Sequence, residues 1–290
     1  MSILVDSSTR LIVQGITGRE GSFHTKRMLE YGTNVVAGVT PGKGGQTVEG
    51  VSVFNSVEEA VKETQANAAV LFVPPQRTLD AILEQVAAGV KLVITIAEGV
   101  PVKDMRTLYH INRAHKDLAI IGPNSFGVIS PGKAKAGFMD HRIYSEGPVG
   151  LMSRSATNSY ETVNEMTKSG IGQSTCVGVG GDVIPGTSFV KLLPMFEEDE
   201  QTKAIVLIGE IGGTDEETAA SYIKNHMKKP VIAYIAGRHA PKGKVMGHAG
   251  AIVGADGAGS AESKIDILTA AGVRIADSPV QIVELLEQVL

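Results

Sequence analysis

One cysteine, no tryptophan and few aromatic residues set the first bounds on this 290-residue chain. Cys176 alone cannot close an intramolecular disulfide, which fits a reducing compartment. It lies in the apolar run Thr175-Cys176-Val177-Gly178, the setting of a buried structural thiol. Phe and Tyr make up the 4% of aromatic residues, and no basic run is interleaved with them, so stacking platforms for single-stranded nucleic acid are missing. Positive charge is not in excess either. The formal net charge of -4 and pI near 6.0 argue against a nucleic-acid or basic membrane-surface partner. No apolar stretch is long enough to span a bilayer. The first ten residues hold neither a charged n-region with an apolar core nor an Arg- and Ser-rich presequence, and the expected location is cytoplasmic.

What is present is a globular composition, 43% hydrophobic and 20% charged, at a length that suits one large domain or two ordinary ones. Short apolar runs alternate with longer segments of helical period, the βαβ signature of a parallel sheet covered by helices. In the first half, strands are expected at 11–14, 34–39, 68–73, 92–96 and 118–122, with helices over 21–31, 57–64, 77–88 and 102–115. The pattern lapses through 123–147, rich in Gly, Pro and Ser, which reads as an irregular connector. It resumes with strands at 149–153, 174–179, 204–208 and 230–235 and helices at 157–169, 187–196 and 216–227. A glycine-rich loop over 237–259 precedes closing helices near 261–271 and 279–289. The expected fold class is α/β, with two open domains over 1–122 and 148–290.

Three glycine-rich turns sit where such sheets bind ligands. The first strand runs into Gly15-Ile16-Thr17-Gly18-Arg19-Glu20-Gly21 and then a helix, which places backbone N–H groups where a pyrophosphate could rest. The spacing is GxxGxxG, not the GxGxxG of dinucleotide sites. After the second strand there is no acidic residue for an NAD ribose. Thr40-Pro41-Gly42-Lys43-Gly44-Gly45 comes instead, so Lys43 is either an exposed turn lysine or a cation for an extra phosphate, as on NADP or coenzyme A. No segment fits the P-loop pattern, so a reaction that uses ATP would take its nucleotide site from another chain.

In the second half, Ser153-Arg154-Ser155-Ala156-Thr157-Asn158-Ser159-Tyr160-Glu161 turns a strand into a helix with Ser155 as its N-cap. That helix start is either an ordinary cap or an anion site, the dipole favouring an adjacent anion by roughly 0.3–1 kcal/mol. Gly209-Glu210-Ile211-Gly212-Gly213 presents one carboxylate at a strand end. Glu210 is either a solvated turn acid or the acceptor for a histidine Nδ1–H, which would leave Nε2 as the nucleophile. The candidate histidine is His248, in Lys242-Gly243-Lys244-Val245-Met246-Gly247-His248-Ala249-Gly250-Ala251. Alone, the segment reads as a solvated glycine-rich turn or as a loop that carries a phosphoryl group, with lysines to neutralise it.

Taken together, these segments resemble the α subunit of succinyl-CoA synthetase, the succinate–CoA ligase that forms ADP or GDP, almost from Met1 to Leu290. The resemblance is carried by GITGREG at 15–21, TPGKGG at 40–45, IGPN at 121–124, SRS at 153–155, GEIGG at 209–213 and APKGKVMGHAGAI at 240–252. The last block is specific to this subunit and its close relatives, and His248 matches the family's phosphorylated histidine. The resemblance implies a Rossmann-like CoA-binding domain followed by a flavodoxin-like parallel-sheet domain that carries the histidine. It implies CoA contacts from Thr17, Gly18, Arg19, Glu20, Lys43, Ile96, Ala97 and Glu98. It further implies that Glu210 orients His248, that Ser155, Ala156 and Thr157 hold the phosphate, and that Tyr160 lines the acid pocket. No metal site falls to this chain: ATP or GTP with Mg²⁺ belongs mainly to an ATP-grasp β subunit, in an αβ or α2β2 assembly.

Departures from the family pattern gather in one region. Pro123-Asn124-Ser125-Phe126-Gly127 stands where the family reads PNCPG, and Ala156, Asn158 and Ser159 depart from SRSGTLTYE. Phe126 would fill space, while Ser125, Asn158 and Ser159 offer hydrogen-bond donors. The substrate is then succinate or another short dianion, such as malate or sulfoacetate; drift in a tolerant region is the plainer reading. Two other classes, a non-catalytic CoA- or nucleotide-binding regulatory protein and an NADP-dependent oxidoreductase, account for 15–21 or Lys43 but not for Glu210 with His248.

Overall fold

Runs such as Leu11-Ile12-Val13-Gln14 and Ala68-Ala69-Val70-Leu71 are buried at every position, the mark of central strands covered by helices on both faces. In the computed structural model, which describes residues 2–115, 117–254 and 257–290, such runs build two sheets. Met1, Lys116, Ala255 and Asp256 lie outside the described residues, the last two within the loop expected over 237–259.

The first half contributes strands β1 (Leu11–Gln14), β2 (Val35–Val39), β3 (Thr47–Val48), β4 (Val51–Phe54), β5 (Ala68–Leu71), β6 (Leu92–Thr95) and β7 (Ala119–Ile121). Helices α1 (Arg19–Glu30), α2 (Val57–Thr64), α3 (Thr78–Ala87) and α4 (Val102–Ala114) alternate with them. The sheet order is β3-β4-β2-β1-β5-β6-β7, parallel throughout except for the short β3–β4 hairpin. Leaving out β3, this is the 3-2-1-4-5-6 order of a Rossmann sheet, whose direction of winding reverses between β1 and β5.

The next strands are β8 (Gly127–Ser130), β9 (Ala134–Gly137), β10 (Glu146–Ser153), β11 (Gln173–Gly178), β12 (Ala204–Glu210), β13 (Val231–Ala236) and β14 (Arg274–Ala276). With them come α5 (Ala156–Lys168), α6 (Phe189–Glu198), α7 (Asp215–His226), α8 (Ala261–Ala270) and α9 (Pro279–Glu287). The order β14-β13-β12-β10-β11-β8-β9 contains the 2-1-3-4-5 arrangement of flavodoxin-like sheets, with its reversal between β10 and β12.

Residues 123–147 are not an irregular connector. They hold β8 and β9, which pair antiparallel with each other and extend the second sheet beyond β11. Four of their eight residues are Gly or Ala and only Val128 and Ile129 are adjacent large apolar residues, so no long apolar run marks the stretch, yet every residue of both strands is buried.

The two halves share a core. One apolar cluster runs from Ile3, Leu11 and Ile94 through Val128 to Phe189, Leu207 and Ile235. Polar contacts cross as well: Gly186 N–H donates to Gly122 O at 2.8 Å, and Ile120 N–H to Thr187 Oγ1 at 3.2 Å. Among the described residues, no helix is long and apolar enough to cross a membrane.

Candidate active site at two sheet reversals

All strands of the Rossmann sheet except the hairpin edge are parallel, so their carboxyl ends line one edge and the β1/β5 reversal opens a crevice there. A cavity of about 600 Å³ fills it, lined by Gly15, Thr17 and Gly18 after β1, Thr40 and Pro41 after β2, and Phe72, Val73 and Pro74 after β5. Gly18 is the N-cap of α1, in extended conformation and without a side chain over the helix end, so the first N–H groups stay open to a ligand. The motif's last glycine is needed for packing. A Cβ on Gly21 would collide with the carbonyl of Gly15, pushing α1 off the turn it follows.

Around this crevice the residues named from the sequence spread unevenly. Thr17 Oγ1 bonds Thr40 Oγ1 at 3.2 Å, joining the two turns. Arg19, its side chain 92% exposed, pairs with Glu20 at 3.0 Å, and Lys43 is exposed on the neighbouring turn. Ile96, Ala97 and Glu98 follow β6 on the same edge. The 97–98 segment faces the other domain: Ala97 O accepts the N–H of Asn124, and Glu98 acts electrostatically on both Asp182 and His248. At about 4.8 Å per strand, the step from β1 to β6 is roughly 10 Å. One elongated ligand can span that distance.

The β10/β12 reversal of the second sheet holds charged groups. Arg154, directly after β10, meets Glu210, the last residue of β12: Nε donates to Oε1 at 3.2 Å, with side chains only 4% and 8% exposed. Arg154 Nη2 also donates to Asp182 O at 2.9 Å. The other oxygen of Glu210, Oε2, lies 2.7 Å from Nδ1 of His248. Because Oε2 is an acceptor, Nδ1 carries the proton, and Nε2 is left with the lone pair. That hydrogen bond holds the imidazole pKa above its ordinary 6.5, outweighing partial burial.

His248 sits at the tip of a turn whose arms are tied together. Gly243 N–H donates to Val253 O at 3.0 Å, Met246 N–H to Ala251 O at 2.8 Å, and Ala251 N–H to His248 O at 3.0 Å. The ring rests against the loop after β11, so closely that a Cβ on Gly181 would collide with it. Val245, Met246 and Ile252 on the histidine's own turn, and Val183 two residues after Gly181, are exposed apolar side chains.

Ser155 caps α5 as expected, its Oγ accepting the N–H of Asn158 at 3.3 Å; Ala156 and Thr157 form the first turn. The acid-pocket candidates divide. Phe126 is buried with its ring 5.9 Å from that of Tyr160, whose buried hydroxyl has no partner among the described residues, and Asn158 is half-buried. Ser125 does not offer the donor expected of it: its hydroxyl donates to Gly178 O at 2.5 Å and its oxygen accepts the N–H of Gly127 at 2.9 Å. Ser159 likewise donates to Ser155 O at 2.6 Å, within its own helix. Small hydroxyls at buried positions are captured by nearby backbone carbonyls, so only Asn158 of the three remains as a side-chain donor.

Several groups at the site went unnamed in the sequence reading. Arg154 stood inside a quoted motif without a role, and Asp182 follows a Gly-Gly pair that resembled any other turn. Behind Glu210, its backbone N–H donates to Glu216 Oε1 at 3.1 Å. Glu216 in turn forms a fully buried pair with Lys264, which also reaches Glu217 at 3.2 Å. Glu216 lies six residues from Glu210, but Lys264 is more than fifty away, beyond any local signal.

A Rossmann half with an open helix N-terminus and a flavodoxin-like half with a carboxylate-oriented histidine define a two-domain CoA ligase chain. Residues 6–99 match the family model for a CoA binding domain, and residues 152–274 that for a CoA-ligase. The chain is 53% identical to subunit alpha 2 of the ADP-forming succinate–CoA ligase of Archaeoglobus fulgidus, over 100% of both chains. It is 51% identical to the corresponding α subunit of Aquifex aeolicus, over 100% of this chain and 95% of the other. ATP citrate lyase of Methanothrix soehngenii, solved with citrate and coenzyme A, superposes with a TM-score of 0.88 at 24% identity. That match covers 99% of this chain but 51% of the lyase, so this chain spans about half its length and the likeness is one of fold. The chain belongs to the family of succinate–CoA ligase α subunits.

Proposed function

We propose that this chain is the α subunit of a nucleoside-diphosphate-forming acid–CoA ligase. It joins a short dianionic acid, succinate foremost, to CoA at the expense of ATP or GTP, through a phosphohistidine. The observation that carries this reading is the 2.7 Å contact between His248 Nδ1 and Glu210 Oε2, which supports Nε2 as the nucleophile. Nε2 attacks the γ-phosphorus, forming N–P as the bond to the diphosphate breaks. The acid's carboxylate then takes the phosphoryl group as an acyl phosphate, and the CoA thiol displaces inorganic phosphate to give the thioester. The N–H groups of Ser155, Ala156 and Thr157 hold the phosphate at the start of α5.

CoA lies with its nucleotide end in the crevice at Thr17 and Gly18, near Arg19, Glu20 and Lys43, and its thiol arm passes Ile96, Ala97 and Glu98. Lys43→Ala is expected to raise the dissociation constant for CoA by roughly 5- to 10-fold through loss of one exposed charge contact, about 1–1.4 kcal/mol. Phosphorylation of His248 stays at its original rate. Calorimetry with CoA and, separately, NADP checks this; binding of NADP alone would overturn the ligase reading.

The nucleotide site is assigned to an ATP-grasp β subunit in an αβ or α2β2 assembly. The exposed apolar side chains Val245, Met246 and Ile252 on the His248 turn, with Val183 close in sequence to Gly181, support a partner surface there. Among the described residues, no group of three or more His, Cys, Asp or Glu is placed to hold a metal ion. With the nucleotide assigned to the partner, Mg²⁺ is assigned there too, where it would screen the phosphates.

Tyr160, Phe126 and Asn158 form the proposed acid pocket. The inward bonding of Ser125 and Ser159 removes two of three donors for a hydroxylated or sulfonated acid and supports succinate. Against malate and sulfoacetate, succinate is expected to have the highest kcat/KM, by about 10-fold or more, as one misplaced group in such a pocket costs roughly 1–3 kcal/mol. A preference for malate or sulfoacetate would assign the pocket to that acid instead.

A further inference from the structure

Asp182 is a buried carboxylate beside His248 to which the steps above give no work. It is only 6% exposed, and its Oδ1 has no hydrogen-bond partner among the described residues. The chain here is held from two sides: Gly181 N–H, one residue before it, donates to Asn124 O at 3.4 Å, and Arg154 Nη2 donates to Asp182 O at 2.9 Å. The groups acting on its carboxyl are Asn124, which hydrogen-bonds it, Glu98 from the loop after β6, Arg154 from after β10, and His248 from its turn. Burial pushes the carboxyl pKa above its ordinary range. Asp182 thus stands between the loops assigned to the CoA arm and the phosphorylated ring, with one oxygen unused. A buried acceptor without a partner is rare in native structures and calls for a reason.

We propose that Asp182 is the general base for the CoA thiol, its free Oδ1 accepting the S–H proton as sulfur attacks the acyl phosphate. In that step the S–C bond forms, the S–H and C–O(phosphate) bonds break, and the leaving phosphate takes the C–O electron pair. The proton passes to Asp182 and then to phosphate, restoring the carboxylate. A thiol of pKa about 8.5 is only a few per cent thiolate at pH 7, so a base at the point of attack has a rate to supply. This inference rests on the ligase reading and adds a residue to its last step.

Three measurements on Asp182→Asn, in the complex with the nucleotide-binding subunit, separate the roles. They are labelling of His248 by γ-labelled ATP, trapping of the acyl phosphate with hydroxylamine, and single-turnover thioester formation. Labelling and trapping are expected within about 3-fold of the unaltered enzyme, whereas thioester formation falls by about 10²–10⁴-fold. The unaltered enzyme should lose thioester rate as pH drops through the carboxyl's range. In the variant that limb disappears and the rate climbs with pH toward the thiol's own value of about 8.5. Near-normal thioester formation in Asp182→Asn, or an equal fall in all three steps, would overturn the assignment. If the variant does not fold, the unaltered enzyme still decides: a thioester rate without a carboxyl limb in its pH profile rules Asp182 out. Absence of label in the unaltered enzyme would instead refute the ligase reading itself.

Discussion

His248→Ala is expected to abolish phosphorylation of the chain and with it all thioester formation, a loss of about 10⁴–10⁶-fold by comparison with removal of other enzymic nucleophiles. The fold should survive, because the ring is 28% exposed, and the Glu210 left behind keeps its contact with Arg154. The cost in stability should stay near 1 kcal/mol or less, as for other substitutions outside the core. CoA affinity should hold within about twofold, since the crevice at Gly15, Thr17 and Gly18 belongs to the other sheet. A variant that turned over at an appreciable fraction of the normal rate would contradict the phosphohistidine route. One that lost CoA binding as well would show that the histidine turn also shapes the CoA crevice.

Glu210→Gln is expected to be nearly as severe, for a reason that lies in Arg154. Nε of that arginine can only donate, and it donates to Oε1. A glutamine at 210 would therefore turn its carbonyl oxygen toward Arg154 and its NH₂ toward His248. Nδ1 must then accept, the ring proton moves to Nε2, and the nucleophilic lone pair is lost. Inverting a histidine tautomer in this way costs about 10⁴ in kcat in a serine protease, and roughly 10³–10⁴-fold is expected here.

The pH dependence follows the same contact. Glu210 raises the pKa of His248, so in the unaltered enzyme the phosphorylation rate should rise with pH through a midpoint above 6.5. In the Gln variant the midpoint should fall, because the charged partner that favours the imidazolium is gone. The stability linkage has the opposite sense. A raised folded-state pKa means that the imidazolium–Glu210 pair stabilises the protein fully below the unfolded value of about 6.5. That stability is lost as pH rises through the folded value. Rates of labelling and thermal unfolding, each followed across pH 5 to 9, check both signs; equal midpoints in the two proteins would contradict them.

Much of the scaffold could be read from the chain. Strand 11–14 and helix 57–64 were located to the residue, since an all-apolar tetrad and a Ser-capped run of helical period allow few alternatives. β8 and β9 were missed because Gly127, Ala134, Ala136 and Gly137 are too small to signal burial, although all four are buried against the second sheet. β14, three residues at a sheet edge, is too short for any period.

At the site, neither segment decides alone: Glu210 reads equally as a solvated turn acid and His248 as part of a solvated glycine-rich turn, and the resemblance to the ligase family is what joins them. Their contact was an expectation from chemistry that geometry then supplied at 2.7 Å. What the residues could not disclose was how partners divide. Ser125 and Ser159 carry the right groups for an acid pocket, but backbone carbonyls at Gly178 and Ser155 claim them first. Arg154 and Lys264, conversely, are ordinary surface residue types by composition and lie buried because acids distant in sequence wait for them.

One measurement bears most directly on the account. The chain, purified with its nucleotide-binding subunit, is incubated with γ-labelled ATP and then GTP, and the label is mapped to a peptide and tested in acid and in base. A label on His248 that is stable in base and released by acid, and that leaves on addition of succinate and CoA, is the expected result. No label with either nucleotide, or an acid-stable label on another residue, would contradict it.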